Sequence, residues 1–329
     1  MNHRVHLIPK HFRWFGAWSC GALFSYVAGL SQASEVFDWR RQADEWVVLF
    51  EDAKEVFTFQ LGPRSLDGKF ARSNYMHPLR NPAGDVVTED FPEDHYHHRG
   101  VFWTWHQLRQ NGRSLADPWL CQGTQWLAPD EPGSWLTTEI TSDSATLKVV
   151  RDWVVPDPVQ PSDSIRPVRE SAIITAWRSE DRYRVLDIDL RFTALVDGIS
   201  IGGSEDDKGY GGFSPRIQLA DDVRFEGQVG PVIPARTAVD GGAWMDVSGT
   251  YEGRRRGFTM MVHPTHPAFP LKWILRAKRS MQNPQWPGRD PAALSTERPT
   301  RLRYRLVLHD GTLEHSELEG LWQQFGLLE

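Results

Sequence analysis

The stretch Arg184-Val185-Leu186-Asp187-Ile188-Asp189-Leu190-Arg191-Phe192-Thr193-Ala194 decides the fold class. Leu186, Ile188, Leu190 and Phe192 alternate with Asp187, Asp189 and Arg191. A period of two places every apolar group on one face of an extended chain, so this is a strand with one buried and one wet side. A helix would need apolar residues three and four apart, which the charges interrupt.

The same alternation recurs outward from this strand. Leu302, Tyr304, Leu306 and Leu308 alternate with Arg303 and Arg305, and Phe258, Met260 and Val262 follow Arg254-Arg255-Arg256. Further strands are expected over 46–51, 56–61, 135–140, 145–154 and 171–177. Turns are marked by Pro82-Ala83-Gly84, Asp130-Glu131-Pro132-Gly133, Asp197-Gly198 and Asp240-Gly241-Gly242. The proline-rich stretches 155–167 and 283–299 are expected to be surface loops. One helix is expected, at the C-terminus: Thr312 caps it, and Leu318, Leu321, Trp322 and Phe325 recur at helical spacing before Gly326. It should lie across an end or edge of a sheet. Strands with almost no intervening helices give an all-β class, a large antiparallel β-sandwich with a short C-terminal helix, in one domain over 34–329.

Residues 1–33 are expected to be a signal peptide. Arg4, Lys10 and Arg13 precede an almost uncharged apolar run, and Ser31-Gln32-Ala33 offers small residues for cleavage after Ala33. A retained N-terminal anchor is the alternative. The reading implies export, to the periplasm or the extracellular space, and no later segment is apolar enough to span a membrane. The chain of 329 residues has a formal charge of −6, and the leader holds three of the positives and no negatives, so the remainder is near −9. That balance disfavours a nucleic-acid partner. Cys121 is the lone cysteine after the leader, so the fold cannot rest on an internal disulfide.

The stretch that carries chemistry is Asp94-His95-Tyr96-His97-His98-Arg99, with His106 nearby. It reads as a loop entering an aromatic strand over 101–105, a common setting for functional groups. If it is extended from Asp94, His95, His97 and Arg99 share one face, with Tyr96 and His98 on the other. Three readings stand. In one, His95 and His97 bind a divalent metal, completed by His263. In another, His97 or His98 moves a proton while Arg99 holds an oxyanion or carboxylate. In the third, these side chains pair with Asp90, Glu93 and Asp94 and merely pin a loop.

A second stretch, Lys208-Gly209-Tyr210-Gly211-Gly212-Phe213-Ser214-Pro215-Arg216, is rich in glycine, which permits positive φ and close backbone approach to a ligand. Lys208, Tyr210 and Arg216 are its candidate ligand-facing groups, and a mobile turn is the plainer alternative. His263-Pro264-Thr265-His266-Pro267, then Trp273 and Arg276, make a third candidate stretch. Indoles such as Trp103 and Trp105 can serve as sugar-stacking platforms, although bulky aromatics also dominate sandwich cores.

With these pieces in hand, the chain resembles a family of exported bacterial proteins known as methane oxygenase PmoA-like. The likeness is carried by Asp90-Phe91-Pro92, Asp94-His95-Tyr96-His97-His98-Arg99-Gly100-Val101-Phe102-Trp103, Lys208-Gly209-Tyr210-Gly211-Gly212-Phe213, His263-Pro264 and Trp273-Ile274-Leu275-Arg276. This chain has Thr265-His266 where the pattern expects Asn. The resemblance implies a sandwich like that of the galactose mutarotases, in a setting of carbohydrate breakdown. The expected function is an exported carbohydrate-active enzyme working on a glycoside or oxidised sugar by hydrolysis, elimination or epimerisation. His97, His98, Arg99 and Tyr210 would be catalytic, and Lys208, Trp103, Trp105, Arg216 and Arg276 would bind substrate. A non-catalytic carbohydrate-binding or surface protein is the alternative.

Overall fold

The structure, a computed structural model, describes residues 36–328. The expected leader and its cleavage site lie outside the described residues. Two antiparallel sheets face each other across one core. The smaller, six-stranded sheet runs Phe37–Gln42, Trp46–Glu51, Lys54–Gln60, Tyr75–Leu79, Val101–Thr104 and Gly212–Pro215 in spatial order. The larger sheet is built around Ser144–Pro156, Ser164–Trp177, Tyr183–Ala194, Thr300–Asp310, Arg254–Val262 and Trp244–Tyr251. An all-β sandwich is therefore the architecture.

The alternation of the deciding strand sets its burial. Leu186, Ile188, Leu190 and Phe192 enter the core with Leu302, Tyr304, Leu306 and Leu308 of the neighbouring strand. Their charged alternates pair across the outer face instead: Arg305 bonds Asp187 at 2.7 and 2.8 Å, and Arg301 bonds Asp189 at 2.9 and 2.7 Å. One period thus supplies both a core face and a laced outer face.

Four local expectations need correction. The stretch 283–299 is not a surface loop throughout, since Asn283–Gln285 and Ala292–Ala293 are strands and Asn283 and Trp286 are buried. The stretch 155–167 is not all loop, since Val155 pairs with Ile165 and Pro156 with Ser164. The ladder tolerates Pro167 because the register shifts there, between Trp153 and Val155, and a bulge does not require the missing N–H. The helix, His315–Gly326, begins after Glu314 and not at Thr312; the Glu317 carboxylate accepts the Glu314 N–H at 2.8 Å. It packs flat on the outer face of the large sheet, where Leu318, Leu321 and Phe325 meet Val185, Met261 and Val307. Among the described residues no helix is long and apolar enough to cross a membrane.

Candidate functional site

The histidine stretch is not extended. It forms two successive turns, closed by His95 N–H to Pro92 C=O at 2.9 Å and His98 N–H to His95 C=O at 2.8 Å. Turning defeats the parity argument: His95 and His98 stack face to face, with ring centroids 4.6 Å apart and planes 3° from parallel. His97 stands edge-on to His98, also at 4.6 Å. Three imidazoles therefore gather within four residues.

The wall behind them comes from 117–121. Trp119, fully buried, meets His98 and His106 with centroids at 5.7 and 5.3 Å. Buried Arg72 holds this segment by donating to the Pro118 and Trp119 carbonyls at 2.8 and 3.0 Å. Asp117 fixes the other end, accepting the Leu120 N–H at 3.0 Å and lying 3.0 Å from His106 Nδ1. Tyr210 closes the arrangement, 5.1 Å from both Trp119 and His106.

His95, His97, His98, Lys208, Tyr210 and Arg276 all line one cleft of about 340 Å³, joined by Lys278 and Arg279. This is near the lower end of ordinary small-ligand pockets. No carboxylate lines it among the described residues. A larger concavity, about 610 Å³, lies over Trp46, Val48, Thr58 and Gln60, but Glu45 and Arg64 are its charged lining and it holds no imidazole. Size alone therefore does not locate reactive groups.

Burial sets the protonation of the cluster. It pushes His97 down to about 4, and the neighbouring His95, Arg72 and His106 charges act in the same direction. His98 is driven well below its ordinary value, again by burial first and then by His97, His95 and Arg216. Arg216 can only donate, so its 3.4 Å approach to His98 Nδ1 makes that nitrogen the acceptor and leaves the proton on Nε2. Burial raises the Tyr210 hydroxyl, which keeps it protonated at neutral pH. The cleft thus presents two neutral imidazoles, His97 and His98, and a phenol, beside His95, whose Nδ1 lies 2.9 Å from the Asp94 carboxylate.

Several expected site residues lie elsewhere. Arg99 is wholly buried and cannot reach a ligand: it bonds Asp90 at 2.5 Å, the Tyr75 hydroxyl, and the Arg64 and Phe70 carbonyls. Arg216 is also buried, bonding Glu89 at 2.6 Å and Asp94 at 2.8 Å. It supports His98 and does not line the cleft. Trp103 and Trp105 are core, not platforms, because each indole N–H is spent inside, on Glu170 and on the Trp286 carbonyl. The glycines near Tyr210 serve protein packing, not ligand approach. A Cβ at Gly209, whose φ is +57°, would sit 2.7 Å from the Arg289 nitrogen, and one at Gly212 would sit 3.0 Å from the Trp286 carbonyl oxygen.

His263 does not complete a metal centre with His95 and His97. It packs on Phe325 of the helix and bonds Thr265 and the Leu328 carbonyl. Imidazole lone pairs lie in the ring plane, so the parallel His95 and His98 rings do not aim at a shared point between them. Among the described residues no group of three His, Cys, Asp or Glu is placed to hold an ion.

Lys278, Arg279 and the Trp119–Asp117–His106 wall were not singled out as site residues from sequence. The basic run Arg276-Ala277-Lys278-Arg279 was the available signal. No curated protein matches the chain. A match over residues 46–323 covers every element of the cleft, from the histidine turns to the basic run, and by it the chain belongs to a family of unknown function, DUF6807.

Proposed function

We propose that this protein is an exported carbohydrate-active enzyme that moves a proton on a bound sugar, by elimination or epimerisation. The observation that carries the reading is the convergence of His95, His97, His98 and Tyr210 on one cleft with no lining carboxylate among the described residues. Neutral His97 is the proton acceptor, and protonated Tyr210 is the donor to a departing or developing oxygen. Neutral His98, with its proton on Nε2, serves as a hydrogen-bond donor to the bound sugar. Hydrolysis fits less well, because glycoside hydrolysis usually needs two carboxylates flanking the bond. The galactose-mutarotase-like sandwich that the sequence resemblance implies supports a sugar ligand by analogy of fold.

The test is turnover of a panel of oligosaccharides by the purified protein, followed by product NMR. His97→Ala and Tyr210→Phe should each lower turnover about 10²–10⁴-fold with folding retained. Unchanged turnover in both variants overturns the assignment. Sugar binding with no product from the wild type would favour a non-catalytic binding protein.

A further inference from the structure

We infer that the cleft recognises a sugar carboxylate, with Arg276 as the anchor and Lys278 and Arg279 as flanking charges. This deepens the saccharide reading above and rests on it.

Four cations line the cleft, Lys208, Arg276, Lys278 and Arg279, against no carboxylate among the described lining residues. A chain whose formal charge is −6 has here gathered a local excess of positive charge, so bulk composition does not explain it. Lys208 is partly spent, since its ammonium pairs with Asp206 at 2.8 Å. Lys278 and Arg279 are exposed and make no ion pair among the described residues.

Arg276 is the informative member. Its Nη1 donates to the Ala235 and Leu275 carbonyls at 2.8 Å each, and Nη2 to the Arg236 carbonyl at 2.9 Å. Carbonyls fix the orientation of the fork without cancelling its charge. A guanidinium has five N–H donors, so three are spent, and one on Nε and one on Nη2 remain. That pair is what a carboxylate engages through two parallel bonds. The backbone clamp holds the group in place before a ligand arrives, which reduces the entropy lost on binding.

A carboxylate also suits the rest of the site chemically. It acidifies the neighbouring C–H of the sugar, the proton a neutral imidazole would have to remove. A bound anion also favours the charged form of a nearby imidazole, so it would raise His97 from its depressed value and make it a stronger base when substrate is present. Neutral sugars offer neither effect.

The experiment is calorimetric titration of the purified protein with uronate-containing oligosaccharides and with the same oligosaccharides after reduction of each carboxylate to an alcohol. Reduction should weaken binding about tenfold or more, as expected for losing a charge-assisted bidentate contact. Lys278→Ala combined with Arg279→Ala, and separately Arg276→Lys, should weaken only the acidic ligand. Binding of the acidic form should also fall as salt is raised. Equal binding of acidic and reduced sugars overturns the carboxylate assignment and leaves the sugar reading standing. Failure of both forms to bind overturns both.

Discussion

Two kinds of polar cluster occur in this molecule, and they differ in how far their central side chains are engaged by neighbours. In the first, Glu170 is fully enclosed, and its oxygens accept the indole N–H groups of Trp103 and Trp153 (the latter at 2.7 Å) and the Asn74 amide at 2.5 Å. Arg99 with Asp90 and Tyr75 is closed in the same manner. In the second, His97 lines an open cleft and makes no side-chain hydrogen bond among the described residues. Both clusters are rich in titratable and aromatic groups. The contrast lies in the central side chain of each: the Glu170 and Arg99 side chains are engaged by neighbours, whereas His97, unlike His95 and His98 beside it, has no side-chain partner among the described residues.

The comparison can be broken most sharply at Arg99. Arg99→Leu should destabilise the fold by about 3 kcal/mol, because the buried Asp90 would lose its closest ion-pair partner and keep only Arg64 at 3.5 Å and the Tyr75 hydroxyl at 3.2 Å. Denaturant unfolding measures this, and a loss below about 1 kcal/mol would remove Arg99 from the structural class. Glu170→Gln comes next, at about 1–3 kcal/mol. Its amide nitrogen must then face a donor, an indole or the Asn74 amide, where the carboxylate faced only donors. Thermal unfolding near pH 8 reads this effect, and a variant as stable as the parent there would mean the carboxylate was not needed.

His97→Ala should change stability least, by under about 1 kcal/mol, while abolishing most turnover. A large stability loss in this variant would move His97 into the closed class. A stability defect of several kcal/mol together with wild-type residual turnover would sink the contrast altogether.

The pH dependence sharpens the same distinction by sign. Burial raises Glu170 to about 7 from 4.5, so between these values the folded state holds the proton more firmly and stability falls as pH rises through the window. Burial lowers His97 to about 4 from 6.5, so there the unfolded state holds more protons, and stability falls as pH drops from 6.5 toward 4. Unfolding free energy of Glu170→Gln should lose the first slope, and that of His97→Ala the second. Parallel pH profiles for both variants would show that the two carboxyl and imidazole environments do not differ as described.

Much of the fold was legible in the residues because strand periodicity is local. The alternation in Arg184–Ala194 specifies which side chains are buried whatever the partner strands are, and Tyr183–Ala194 is the strand observed. Boundaries were missed where a proline met a bulge, as at Pro167, since a register shift is a property of the pair of strands. For the candidate site, residue identities at 95, 97, 98, 208, 210 and 276 named groups that the structure brings to one cleft. Arg99, Arg216, Trp103, Trp105 and His263 did not belong, although their chemistry looked equally suitable.

The amino-acid sequence by itself determined that the chain is all-β, that its strands have one apolar face, and that imidazoles cluster ahead of an aromatic strand. These follow from intrinsic periods and side-chain chemistry, which need no distant partner. The tertiary structure alone decided which polar groups are open. Turning the backbone at Pro92–His98 brought His98 onto His95, while Asp90 and Tyr75 enclosed Arg99 one residue later. Satisfaction of a donor depends on acceptors supplied from far along the chain, and no local pattern encodes that.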